Sequence, residues 1–193
     1  EDPTLPGKSI TSFDGFSTIR IVSGNNNNLN VPVSGFTSVP APSPVRASFA
    51  FATLEGDKPI DGDRLKLNGA TLSTIDRPRN NFFNSSVTQI STLPVNNRNP
   101  NSTNTLGFDT GVLNVPNPGN TVIGNDATSA NLKFITGTDR YFQYFLAFAI
   151  DIIEPNIIFT KTVEDEFGNN IGGQDVTLGQ ELNYIIGFQN IGN

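Results

Sequence analysis

Hydrophobic and polar residues alternate along several stretches of the chain, most clearly from Tyr141 to Ile153. Six large apolar residues share one face at period two, namely Phe142, Tyr144, Leu146, Phe148, Ile150 and Ile152. Small or polar residues share the other face, namely Gln143, Ala147, Ala149 and Asp151. This period is that of a β-strand with one buried face. An amphipathic helix is the alternative, but the alternation and the absence of helix caps favour a strand.

Shorter stretches repeat the pattern earlier in the chain. One face of residues 45–54 carries Val45, Ala47, Phe49 and Phe51. Leu65 and Leu67 precede Asn68-Gly69, a dipeptide that strongly favours a two-residue type I′ hairpin turn. Residues 70–75 are therefore predicted to return as the partner strand. Further strands are predicted in residues 16–22, 106–115 and 130–136.

Turn-forming and polar residues divide the chain into segments. Residues 1–12 are polar and are predicted to be an extended lead-in, and residues 76–104 form a long Asn-, Ser- and Pro-rich connection. Glu154-Pro155-Asn156 interrupts the strand pattern and marks a domain boundary. Two further strands follow in residues 157–163 and 181–191. Two or three strands are too few for an independent sandwich, so this second domain is expected to be truncated.

The strand pattern predicts an all-β protein with a jelly-roll-like β-sandwich over residues 13–154. Residues 155–193 are predicted to be the N-terminal part of a second β domain. The composition agrees, because 18 Gly and 13 Pro supply many turns, while 36% hydrophobic residues are enough for a core.

The composition also removes several kinds of chemistry. Without Cys there are no disulfides or thiolate metal sites, and without His the usual general base and commonest transition-metal ligand are missing. A net charge of −6 with scattered basic residues disfavours nucleic acid as a partner. The longest apolar stretch is well short of the roughly 20 residues of a membrane helix. No nucleophile motif or paired carboxylates stand out, so neither enzyme activity nor a cofactor is predicted.

The last segment carries three motifs that resemble a known family. Lys161-Thr162-Val163 lies in the first strand, Gly179-Gln180-Glu181-Leu182-Asn183-Tyr184-Ile185-Ile186 in the second, and Asn190-Ile191-Gly192-Asn193 at its end. Together they resemble the opening half of the tandem repeat domain of bacterial surface proteins, which has "K-T-V", "G-D-x-V-x-Y-x-I" and "N-x-G-N" in this order. Gln180-Glu181 departs from that pattern, in which an acidic residue more often follows the glycine.

Residues 13–154 more loosely resemble the β-sandwich found upstream of such repeats. Chains with this order are similar to gliding-motility and adhesion proteins exported by the type IX secretion system. The resemblance implies an Ig-like second domain, an extracellular location at the bacterial cell surface, and a role in spacing and presentation. The expected partners are other domains of the same filament, or else ligands on a surface, including glycans.

Two groups of residues are candidate sites. Asp57, Asp61 and Asp63, with Glu55 nearby, offer the oxygen ligands that Ca²⁺ prefers, but the EF-hand spacing is missing and a solvated polar loop is favoured. Glu164-Asp165-Glu166 is interpreted as a plain charged turn. Lys161 is a candidate for a covalent bond to an Asn or Asp, as in some surface β-sandwiches, with its partner expected beyond residue 193. An exposed strand lysine is the favoured alternative.

The long connection of residues 76–104 contains Phe82-Phe83 with Arg77 and Arg79 close by. This aromatic pair either binds a partner at the surface or packs into the core, and core packing is favoured. The whole sequence predicts a non-catalytic structural and presentation module of a large secreted adhesin. The alternative is a carbohydrate-binding, lectin-like module, for which the Asp57, Asp61 and Asp63 group makes calcium a candidate ion.

Overall fold

The computed structural model describes residues 5–21, 28–89, 95, 98–153, 155 and 157–191. The chain divides into two compact units, Glu1–Ile152 and Ile153–Asn193. Within the described ranges there is no α-helix, so no helix there is long and apolar enough to cross a bilayer. One short 3₁₀ turn covers Pro118–Asn120. The strands are β1 Lys8–Ile19, β2 Asn28–Ser34, β3 Ala47–Leu54, β4 Arg64–Leu67, β5 Ala70–Thr71, β6 Val87–Thr88, β7 Phe108–Asn114, β8 Ser129–Ile135, β9 Tyr141–Asp151, β10 Ile157–Glu164 and β11 Asn183–Asn190.

The first unit contains two sheets. Sheet 1 has the strand order β1-β9-β3-β7-β6, and sheet 2 has the order β2-β8-β4-β5. Every pair of neighbouring strands is antiparallel except the two-residue pairing of β6 with β7. The sheets pack against each other as a β-sandwich, and this confirms the all-β prediction.

Apolar side chains from both sheets fill the space between them. The predicted inward faces of the early strands are confirmed, because Val45, Ala47, Phe49 and Phe51 are all buried, as are Leu65 and Leu67. Phenylalanine dominates the interior, and the rings of Phe83 and Tyr141 stack with their centroids 4.5 Å apart. At about 1.5–3 kcal/mol for each fully buried large side chain, this core is the main stabilising contribution to the sandwich.

Strand β9 differs from the uninterrupted alternation that the sequence predicts. Leu146, Phe148 and Ile150 are buried as expected, but in the first half of the strand Tyr141 and Gln143 are the buried residues. Phe142 and Tyr144, which were predicted to face the core, are only half-buried, so that part of the prediction was wrong. The reason is a β-bulge: Ala52 of β3 pairs with Phe145 and Thr53 pairs with Gln143, which leaves Tyr144 as an extra residue. One extra residue exchanges the two faces of a strand.

The Asn68-Gly69 hairpin is confirmed. Both residues have positive φ, 48° and 88°, as a type I′ turn requires, and Leu67 pairs directly with Ala70. The returning strand covers only Ala70–Thr71 rather than residues 70–75. The Asn68 side chain accepts a hydrogen bond from the backbone amide of Asn131 at 2.8 Å, which fixes the turn to β8.

The edge strand β1 begins at Lys8, so residues 8–12 of the predicted lead-in are extended and pair with β9. The same pairing brings Lys8 into an ion pair with Asp151. Val22, at the end of the strand predicted for residues 16–22, lies outside the described residues. So do the boundary residues Glu154 and Asn156 and the final Gly192 and Asn193.

The second unit contains one antiparallel hairpin. Strands β10 and β11 pair without interruption from Ile157 with Asn190 to Glu164 with Asn183, which confirms both predicted strands. None of the described residues of this unit is buried, and Phe159 and Phe188, which face each other across the hairpin, are 72% and 78% exposed. The Ig-like fold of this unit stays an expectation.

Candidate functional site

The long connection between β5 and β7 is organised around the guanidinium group of Arg77, which is only 1% exposed. All five of its N–H groups donate hydrogen bonds. Nε donates to the hydroxyl of Thr88 at 3.0 Å, and the two terminal nitrogens donate to Asp109 Oδ1 at 2.6 Å and to three backbone carbonyls. Those carbonyls belong to Phe82, Ser86 and Thr110, at 2.8 to 3.0 Å. One side chain therefore fixes three points of this connection to β7.

Asp109, the partner of Arg77, is fully buried on β7. Its second carboxylate oxygen accepts a hydrogen bond from the backbone amide of Ser85 at 2.8 Å. Burial raises the pKa of Asp109, and the nearby guanidinium opposes this effect. Burial likewise lowers the pKa of Arg77. Each charge depends on the other for its burial, since an unpaired charge at this depth is costly.

Phe82 and Phe83 are both fully buried, so the core alternative for this aromatic pair is confirmed. Phe83 packs on Phe134 of sheet 2, with ring centroids 5.7 Å apart. The guanidinium carbon of Arg77 lies 4.8 Å from the ring centroid of Phe51 and 5.6 Å from that of Phe82. The aromatic pair and the arginine thus form one continuous part of the interior. In contrast, Arg79 is exposed.

The acidic residues of the β3–β4 connection, for which the sequence favoured a solvated loop over a calcium site, differ from one another in burial. Glu55, Asp57 and Asp61 are exposed, whereas Asp63 is completely buried. Among the residues that the structure describes, no three Asp or Glu side chains come close enough together to hold a metal ion. The interpretation as a solvated loop therefore holds for Glu55, Asp57 and Asp61, but not for Asp63.

Asp63 faces the interior because it continues the inward period of Leu65 and Leu67. Thr136 continues the inward period of β8 in the same way and is also completely buried. Both residues lie where β4 begins and β8 ends, because Arg64 pairs with Ile135. The inner face of sheet 2 therefore becomes polar at this end.

The facing end of sheet 1 is polar as well. Thr53 of β3 pairs with Asp109 on one side and with Gln143 on the other, and all three side chains are buried. Asp139, in the connection between β8 and β9, is also buried. We call this region the polar end of the sandwich, defined by Thr53, Asp63, Asp109, Thr136, Asp139 and Gln143.

The Asp63 carboxylate is the least satisfied group at the polar end. Neither of its oxygens has a hydrogen-bond partner in the described structure, although Thr136 and Asp139 lie close enough to influence its ionisation. Burial, and to a smaller extent the charge of Asp139, raise the pKa of Asp63 to about 7, while Thr136 opposes this rise. By contrast, Asp139 accepts backbone hydrogen bonds from Arg140 at 2.6 Å and from Asp57 at 3.3 Å.

Close packing of the backbone at Gly62 and Gly137 positions Asp63 and Asp139. A side chain at Gly62 would have its Cβ 3.0 Å from the Cα of Gly137, so only glycine allows this approach. Gly62 also has a φ of +125°, which side chains rarely tolerate. These two glycines bring the residue before β4 against the turn that carries Asp139.

Lys161 lies on β10 and is exposed, with its Nζ 4.6 Å from the ring centroid of Tyr184. The covalent crosslink of Lys161 stays a prediction. Asp165 accepts hydrogen bonds from the side chain and backbone of Asn169 and from the backbone of Phe167, and these lower its pKa. Residues 164–170 are thus a turn held by its own hydrogen bonds.

An open cavity of about 240 Å³ lies beside β6 and β7. Its described lining combines hydroxyl and amide side chains with apolar ones, namely Ser73, Thr74, Thr88, Gln89, Val112, Leu113, Asn114 and Pro116. Thr88 joins it to the Arg77 network, since the same hydroxyl accepts the hydrogen bond from Nε. The sequence alone gave no indication of this cavity.

Comparison with known proteins gives no match to any protein family, curated protein or solved structure.

Proposed function

We propose that the chain is a non-catalytic structural and presentation module of a large secreted adhesin at the bacterial cell surface. The observation that carries the proposal is the Arg77 network, in which all five donors of a buried guanidinium hold a long connection in place. The polar groups of this network bind one another and so make the connection rigid. A sandwich with a fixed connection is well suited to holding neighbouring domains apart and displaying its loops.

The exposed hairpin of the second unit gives further support. A two-stranded hairpin is marginal in water, and this one carries exposed Phe159, Tyr184, Ile186 and Phe188. We propose that it is the opening half of an Ig-like surface repeat whose other strands cover these side chains. The three motifs quoted above support this assignment. Lys161 lies on β10 with Phe159. It is the candidate for a stabilising covalent bond to one of the further strands of the repeat.

Cell fractionation tests the proposed function. The producing cells are separated into cytoplasmic, membrane and secreted fractions, and the full-length protein is detected by an antibody against residues 1–152. The proposal expects the protein in the outer-surface and secreted fractions. A protein confined to the cytoplasm contradicts it.

A carbohydrate-binding module is the second candidate function, and the cavity beside β6 and β7 favours it. Its hydroxyl and amide groups are able to exchange hydrogen bonds with a sugar, and its volume suits one small ring. A glycan array, probed with and without a chelator, is the test. Specific binding that Asn114→Ala and Gln89→Ala weaken supports this function, and the absence of any specific glycan signal removes it.

A further inference from the structure

The unsatisfied oxygens at the polar end require an explanation beyond the proposed function. Buried polar groups almost always have a partner, and an exception points to an ion or a water molecule. Both oxygens of Asp63 lack one, and so does the side-chain oxygen of Asn81, a residue that is 6% exposed. Thr53 and Gln143 each contribute one further unpartnered oxygen. The oxygens of Asn81 and Gln143 and of an ionised Asp63 accept only, whereas the Thr53 hydroxyl both accepts and donates.

Asp63 and Asn81, which carry three of these unpartnered oxygens, are held next to each other by the backbone. The two residues form a parallel β-bridge, and residues opposite each other in a bridge direct their side chains to one face. The Asn81 amide nitrogen is already used, since it donates to the carbonyls of Lys58 at 2.8 Å and Asp57 at 3.3 Å. Its oxygen is therefore held in a fixed orientation without a donor of its own.

The charges at this position are also unbalanced. Asp63 and Asp139 are neighbouring buried carboxyl groups, and neither forms an ion pair in the described structure. Arg77 is already paired with Asp109, and the basic residues nearby in sequence bind other groups: Arg64 donates to the Asn80 side chain and Lys58 to the carbonyl of Thr103. Arg140 is exposed. Two adjacent buried carboxylates without a counter-charge are unfavourable.

We propose that Asp63 and Asp139, together with the side-chain oxygen of Asn81, bind a Ca²⁺ ion at the polar end of the sandwich. Two carboxylates match the charge of the ion, and Ca²⁺ takes carboxylate and amide oxygens in flexible geometry. Gln143 and Thr53 of sheet 1 offer neutral oxygens at the same end.

The ion would connect elements that are distant in sequence. Asp63 precedes β4, Asn81 lies in the long connection that Arg77 fixes, and Asp139 precedes β9. Ca²⁺ would therefore stabilise the folded first unit against separation of these segments. This set of ligands differs from the loop cluster that the sequence suggested, because it excludes Asp57 and Asp61 and includes two residues from other segments.

Thermal unfolding of the full chain tests the proposal. The protein is freed of metal with a chelator and unfolded at about pH 7.5 with and without about 10 mM Ca²⁺, above the dissociation constants of extracellular calcium modules. We expect Ca²⁺ to raise the Tm by about 3–10 °C, and titration calorimetry to give one ion per chain. Mg²⁺, which demands a stricter geometry, is expected to have a smaller effect.

Variants show whether the ion binds at this position. Asp63→Asn and Asp139→Asn are expected to abolish the Ca²⁺-dependent rise in Tm, while the matched control Asp61→Asn, at an exposed residue of the same connection, retains it. Near-UV circular dichroism establishes that each variant is folded. The proposal is overturned if Ca²⁺ leaves the Tm of the unaltered chain unchanged, or if Asp63→Asn responds as strongly. If stability rises only on acidification from pH 7 to pH 4, the two carboxyl groups share a proton instead.

Discussion

Arg77 shows how a single residue determines the shape of a long segment. Its five hydrogen bonds, one of which is the ion pair with Asp109, hold in place a connection between β5 and β7 whose described part has little regular sheet pairing. The sequence could not predict this role, because Arg77 lies in a polar segment where solvated arginines are the rule. The weak indication was Asp109, a charged residue at an inward position of the predicted strand 106–115.

Replacing either member of this ion pair should be severely destabilising. We expect Arg77→Met and Asp109→Asn each to lower the free energy of unfolding by about 3–5 kcal/mol, because each leaves buried polar partners unsatisfied. The double variant should lose clearly less than the sum of the two. Urea denaturation followed by circular dichroism measures all three values.

Arg79→Met is the matched control for this cycle. Arg79 is exposed, two residues away, and its replacement should change the free energy of unfolding by no more than about 0.5 kcal/mol. Equal effects of Arg77→Met and Arg79→Met would contradict the role assigned to the buried guanidinium.

At the scale of whole elements, the sequence predicted the fold class, most strands and the Asn68-Gly69 hairpin. These features are local, because a period of two or a pair of turn residues is visible within a few positions. The bulge at Tyr144 is not local, since it arises from how β9 pairs with β1 and β3 at the same time. The polar end was missed for the same reason, since Asp63, Asp109 and Asp139 come close together only once the sheets have formed.

The bulge makes a sharp prediction for two adjacent aromatic residues. Tyr141→Ala should cost about 3–5 kcal/mol of unfolding free energy, because Tyr141 is fully buried. Phe142→Ala should cost much less, because Phe142 is half-buried and stacks mainly on the exposed Phe16. Uninterrupted alternation predicts the reverse order. Urea denaturation of the two variants decides between these alternatives.

The hairpin turn can be tested by a pair of glycine substitutions. Gly69→Ala should destabilise the chain by about 1 kcal/mol, because Gly69 has a φ of +88°. A new Cβ there meets no atom within 4 Å, so the cost is one of backbone conformation alone. Gly124→Ala is the control, since that site is equally open but lacks a positive φ. The thermal unfolding midpoints of the two variants are compared. Equal shifts for Gly69→Ala and Gly124→Ala would refute the turn assignment.

At the scale of the whole molecule, the two units differ in how much they bury. The first unit has a continuous apolar core, whereas no described residue of the second unit is buried. Resistance to local opening follows buried contacts. The two units should therefore differ strongly in stability.

Hydrogen exchange of the chain of residues 1–193 measures that difference. Amides in the centres of β3 and β9 should exchange only on global unfolding, while those of β10 and β11 should exchange many times faster. Comparable protection in β10 and β9 would show that the hairpin is covered, and would contradict its description as an open pair of strands.

Surface labelling of intact producing cells tests most directly the claim that this chain is an outward-facing module of a surface adhesin. An antibody raised against the folded first unit is applied to whole cells and to permeabilised cells. The account predicts equal labelling of the two, because the sandwich is already outside the cell. Labelling that appears only after permeabilisation would contradict it.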